Sequence, residues 1–242
     1  MRQGEKAPEF TSAMSRGELI FSFFWLVMHT VGMGFVLGFI PEFWKLDGAS
    51  QNFAVYALSA GVMLLFCGGF ARRDFDTLCD NFPRIMLEIM RSFLLIFAID
   101  MILSALLSFA AIFGLSFASE NQNNEYFYEL AEDYEGKIKA MSVFLAPIAE
   151  EMLFRGFLFG GIRKRSRIAA YAVSILLFSA YHVWGYALDD PSYWLYMLEY
   201  IPVSFVICRL YERSNSIWGS IFFHMGWNAL MFELMEAAAE LL

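Results

Sequence analysis

Residues 138–161 read IKAMSVFLAPIAEEMLFRGFLFGG. A run of about 20 apolar residues crosses the roughly 30 Å hydrocarbon core of a bilayer, and this stretch is long enough to do so. Yet it holds two adjacent carboxylates, Glu150 and Glu151, and a guanidinium, Arg155, away from either end. Counted back from Ile162 at 1.5 Å per residue, Glu150 lies about 18 Å deep. An ionisable side chain at that depth costs at least about 3 kcal/mol, so such groups mark function or a specific pairing. The two carboxylates cannot both ionise cheaply there. Arg155 follows Glu151 by one helical turn on the same face and is placed to neutralise it. Glu150 points about 100° away and stays available for other work.

The rest of the chain has the same character. It has 242 residues, 59% of them hydrophobic, with 27 Phe and only 17% charged. Soluble domains carry about 25% charged residues. The composition excludes intrinsic disorder. A net charge of −8 with no basic face argues against nucleic acid as a partner. Cys67, Cys79 and Cys208 are odd in number and widely spaced, which fits neither a disulfide framework nor a zinc ribbon. The reading is an all-α, polytopic transmembrane helix bundle. Seven apolar spans are expected, at about 18–40, 53–70, 85–118, 138–161, 168–188, 191–211 and 216–241. The third is too long for one straight crossing and starts near Pro83 outside the hydrocarbon. An acidic loop occupies 119–137. The chain divides into N-terminal helices with this loop, 1–137, and a four-span core, 138–242. Met14 is an alternative start that would trim only a tail.

Lys and Arg set the orientation. With seven spans and a cytoplasmic N-terminus, twelve of them fall on the inner side and three, Lys45, Lys137 and Lys139, on the outer side. The protein is therefore expected to be an integral, multi-pass membrane protein, in the plasma membrane if the source is bacterial. The run from Arg163 to Arg167 is a topology signal that also attracts anionic lipid headgroups, at about 1 kcal/mol per charge. Trp184, Trp194 and Trp218 near span ends read as interface anchors.

Two further spans hold polar groups at comparable depth. One contains Phe178-Ser179-Ala180-Tyr181-His182, and the last contains His224-Met225-Gly226-Trp227-Asn228. His224 and Asn228 are four apart and share a helix face. Three helices can thus bring two carboxylates, two imidazoles, an amide and a guanidinium to one level. That set suits peptide hydrolysis. A carboxylate takes a proton from water, an imidazole shares or relays it, and imidazole and amide N–H groups stabilise a developing oxyanion. The same groups are also able to hold a divalent metal.

Glu150-Glu151-x-x-x-Arg155, Phe178-x-x-x-His182 and His224-x-x-x-Asn228 resemble the three ordered motifs of the CPBP intramembrane proteases. That family comprises type II CAAX prenyl endopeptidases and bacterial bacteriocin-processing or self-immunity proteins. The resemblance covers about 140–235, and no motif position departs from the pattern. It implies an intramembrane endopeptidase in which Glu150, assisted by His182, activates water. His224 and Asn228 stabilise the oxyanion, Glu151 and Arg155 hold the site in shape, and Phe178 packs beside it, near the substrate. The partners implied are a peptide or protein substrate and the lipid bilayer. A metal-free mechanism with no cofactor is preferred, because the H-E-x-x-H helix of ordinary zinc proteases is absent. The alternative is zinc or another divalent metal on Glu150, His182 and His224.

Other readings use the same residues. A bacteriocin-binding immunity protein would keep the fold without turnover, and a transporter would use the charges as an ion or proton relay. Paired broken spans, which would favour a transporter, are not seen. His29 reads as a structural hydrogen-bonding group. Asp100 and Glu199 read as partners in helix packing that are also able to line a substrate path.

Overall fold

The computed structural model describes residues 9–113 and 122–239, which form helices and no strands. Helix α1 runs Arg16–Leu37 and is interrupted by a π-helical turn at Met28–Gly32. Ser15 starts it with a capping box: its hydroxyl accepts from Glu18 N–H (3.3 Å), and Glu18 accepts from Ser15 N–H (2.7 Å). Helices α2 (Gly48–Phe66), α3 (Gly68–Asp80) and α4 (Phe82–Ile112) follow. Next come α5 (Gln122–Ala140) and α6 (141–163). Helices α7 (Arg167–Ala187), α8 (Met197–Ser214) and α9 (Ile217–Ala239) complete the bundle. The α7 start is capped by Ser166, which accepts from Ala169 N–H (3.2 Å). Helix α8 stops at Asn215, whose φ of 55° is left-handed and turns the chain into α9.

Four of the described helices are long and apolar enough to cross a membrane: α1, α2, Phe82–Leu106 of α4, and α7. The bundle is apolar outside and partly polar inside. Phe35, Leu65, Leu94, Met101 and Ile168 are more than 70% exposed. Ser22, Ser59, Ser92, Ser174, Ser204 and Ser220 are buried between helices. Small polar residues at helix contacts are what packing in lipid favours, because the outward surface needs no protection from its solvent.

Some boundaries differ from the sequence reading. The acidic loop expected at 119–137 is largely helical, since α5 begins at Gln122; residues 119–121 lie outside the described set. So do 114–118 of the long third segment. Helix α3 was not expected at all. Its polar outer face hides the signal, but Phe70, Ala71, Asp74 and Leu78 fall on one helical stripe and are buried. Residues 9–13, just before Met14, are not a loose tail either. Asn215 Oδ1 accepts from Thr11 N–H (2.7 Å), and its amide donates to Glu9 O (2.9 Å). Phe10 packs edge-on against Phe159 and Tyr211. One core cluster joins Met14, Met63 and Phe70 to Phe154, Phe178, Tyr211 and Ile221, so segments 1–137 and 138–242 share a single interior.

Candidate active site

Helix α6 carries the paired carboxylates at a change of winding. A short α-helical turn, Ala146–Glu150, lies between π-helical stretches at Met141–Leu145 and Glu151–Phe159. Wide turns shift side chains off the α register and recur at functional sites. The helix also runs very close to its neighbours. A Cβ on Gly156 would lie 2.9 Å from Met14 Cε and 3.0 Å from the Phe70 ring, so a larger residue there would have to displace them.

Glu151 and Arg155 form the expected ion pair, at 2.9 Å between Nη1 and Oε1, with both side chains fully buried. Arg155 also donates to Ser204 Oγ (2.9 Å) and lies over the Phe178 ring, 4.1 Å from its centre. Glu151 Oε1 is in turn 2.8 Å from Nδ1 of His224. This carboxylate therefore ties α6 to α9, and Arg155 extends the link to α7 and α8.

Glu150 faces elsewhere, as its 100° offset requires. Its Oε2 lies 3.8 Å from Nε2 of His182 and 4.0 Å from Nε2 of His224. The remaining nitrogens of both rings are already engaged. His182 Nδ1 is 2.8 Å from Phe178 O, and a carbonyl only accepts, so Nδ1 carries the proton. In the neutral ring Nε2 of His182 is then a bare acceptor aimed toward Glu150. His182 is held flat by Tyr200, stacked 4.4 Å away, and by Phe178 at 4.5 Å. For Nε2 of His224 to donate, that ring must hold both protons, and Glu151 supplies the counter-charge of that form.

Residues absent from the motifs complete the site. Tyr56 OH donates to Glu150 Oε1 (3.3 Å) and is 2.9 Å from Tyr181 OH, which is 2.9 Å from Nε2 of His29. His29 thus makes the hydrogen bond expected of it, at the end of a chain that leads to Glu150. Tyr181 sits inside the quoted F-x-x-x-H stretch, so its neighbourhood was visible; Tyr56 and His29 come from α2 and α1 and carry no motif.

These groups open onto one cavity of about 750 Å³. Glu150, His182, His224, Phe178 and Asn228 all line it, together with Asp100 and Glu199. Asn228 donates one amide N–H to Ser142 O (2.8 Å). Glu151 and Arg155 stand behind this surface rather than on it. The spacing bears on the metal alternative. Two ligands about 2.05 Å from a tetrahedral zinc lie about 3.3 Å apart. The 3.8 and 4.0 Å separations here are wider. Among the described residues no three His, Cys, Asp or Glu side chains form a metal-binding group.

Residues 138–230, which carry the site from Glu150 to Asn228, match the family model of Rce1-like, type II CAAX prenyl endopeptidases. The resemblance read from the three motifs is matched by this similarity over that segment. Two proteins of Lactococcus lactis subsp. lactis (strain IL1403) are similar to the chain. UPF0177 protein YxdF is 32% identical over 84 residues, 35% of this chain and 42% of the relative. UPF0177 protein YbdI is 29% identical over 94 residues, 38% of this chain and 45% of the relative. The chain spans less than half the length of these curated relatives. No solved structure matches it.

Proposed function

We propose that this protein is an intramembrane endopeptidase that hydrolyses a peptide bond in a membrane-associated or peptide substrate. The observation that carries this reading is the approach of two imidazole Nε2 atoms to one oxygen of Glu150 at the wall of a cavity. A water molecule between Glu150 and His182 is deprotonated by the carboxylate as its oxygen attacks the scissile carbonyl. Doubly protonated His224, with Asn228, donates to the oxyanion. The proton held by Glu150 then passes to the leaving amine. Glu151 and Arg155 keep His224 in place, and Phe178 packs against His182. No metal takes part. The substrate enters the cavity between helices from the membrane or the cytoplasmic side. The chain crosses the bilayer seven times with its N-terminus in the cytoplasm, as the Lys and Arg distribution favours; in a bacterial cell this is the plasma membrane.

The test is peptidase activity of purified protein in liposomes. Glu150→Gln and His182→Ala should each lose at least about 100-fold in kcat while keeping a wild-type circular dichroism spectrum. Full activity in both would overturn the proposal. Activity should also survive a strong chelator. Loss that zinc restores would move Glu150, His182 and His224 to a metal-ligand role.

A further inference from the structure

Away from the cavity, the outer face of the α7–α8 pair carries a groove of about 630 Å³ with two unlike halves. Ile168, Ala172, Ile175 and Phe205 make one half. Ile168 and Phe205 are exposed, 84% and 39%, on the side where other large apolar residues face outward. Arginines 167, 209 and 213 line the other half, with Tyr171 and the carboxylate of Glu212.

The three arginines are not equivalent. Arg167 binds Glu212 through Nε and Nη2 (2.7–3.0 Å), and Arg213 binds Glu88 (2.7 Å). Arg209 lies one turn before Arg213, about 6 Å further from the helix end. Its Nη1 is buried and has no acceptor among the described residues. A guanidinium has five donors and keeps its charge, so a span end is a costly place to leave one without an anion. Glu212 is already shared with Arg163 and Tyr171.

We infer that this groove binds an anionic membrane phospholipid, its phosphate on Arg209 and an acyl chain along the Ile168–Phe205 wall. The two non-bridging oxygens of a phosphodiester offer the two-pronged acceptor that a planar guanidinium prefers. Basic pockets between helix ends at a membrane face are suited to such headgroups. The apolar half distinguishes a lipid from free phosphate, which has nothing to place there. The site is independent of the proposed peptidase activity.

Native mass spectrometry and thermal unfolding of the full chain test this. The probes are nanodiscs of phosphatidylcholine alone, nanodiscs that also contain phosphatidylglycerol, and inorganic phosphate in detergent. Wild-type protein should retain phosphatidylglycerol over phosphatidylcholine and unfold several degrees higher in its presence. Arg209→Gln should reduce that retention about tenfold, whereas Arg165→Gln, outside the groove, should not. Equal retention of the two lipids, or undiminished retention by Arg209→Gln, overturns the inference. So does equal protection by inorganic phosphate, which would mark a simple anion site. If Arg209→Gln does not fold, the wild-type comparison of the three probes decides alone.

Discussion

At Tyr56, one hydroxyl connects the α2 helix to the carboxylate proposed to do the chemistry. It donates to Glu150 and contacts Tyr181. Tyr56→Phe removes the donor while leaving the ring in place. We expect kcat to fall about tenfold with little change in KM, as a hydrogen bond to a charged group is worth about 1.5–3 kcal/mol. Steady-state kinetics on a peptide substrate would check it; an equal loss in the KM term would mean that Tyr56 holds substrate instead. Arg155 makes a different prediction. Arg155→Met takes the guanidinium from the buried Glu151, which keeps its contact with His224, and should lower stability by about 3 kcal/mol. Adding Glu151→Gln should restore part of that, measured by chemical denaturation of both variants. The Glu151–Arg155 pair was legible in the sequence because it is local, four residues on one helix. The Tyr56–Glu150 contact was not, because it joins residues 94 apart through tertiary packing alone.

Among the helices, α3 shows what an apolar-span reading passes over. It is too polar to cross a bilayer, yet Asp74 within it organises the start of α9. Asp74 accepts from Ile217 N–H (2.7 Å) and from Ser12 Oγ (2.6 Å). This is an N-cap supplied from another element, and Asp74→Ala should cost about 1–2 kcal/mol. Burial pushes the Asp74 carboxyl up to about 6 from its ordinary 3.8, against the opposing hydrogen bonds. The folded protein therefore binds the proton more tightly than the unfolded chain. The contribution of Asp74 to stability is full below about pH 4 and declines as pH rises toward 6. Asp74→Asn should abolish that slope, so unfolding midpoints of wild type and variant, compared between pH 4 and 7, test the sign. Helix α7 was read nearly to the residue because a long apolar run marks it. The winding of α6 was not, because a π turn has no compositional signature.

For the whole molecule, the exposed apolar girdle and the polar cavity within it follow from one composition. Of the few charged residues that lack access to water, Glu150 lines the cavity, and Glu151 and Arg155 stand behind it. What composition could not convey is that the N-terminal helices take part in the site through His29 and Tyr56. Orientation is directly testable without mutation. Cys79 on α3 is exposed, whereas Cys67 and Cys208 are buried. A membrane-impermeant maleimide should label Cys79 in inverted vesicles and not in intact cells. Labelling of intact cells would reverse the proposed topology.

The clasp formed by residues 9–12 gives a short segment outside every motif an unexpected weight. Ser12 bonds Asp74 and Tyr211, and Phe10 wedges between Phe159 and Tyr211, directly behind the wide turns of α6. A polypeptide cut back to Met14 would keep every motif but lose this latch. Its unfolding midpoint should lie below that of the full chain. An affinity tag fused close to Glu9 would load the same latch.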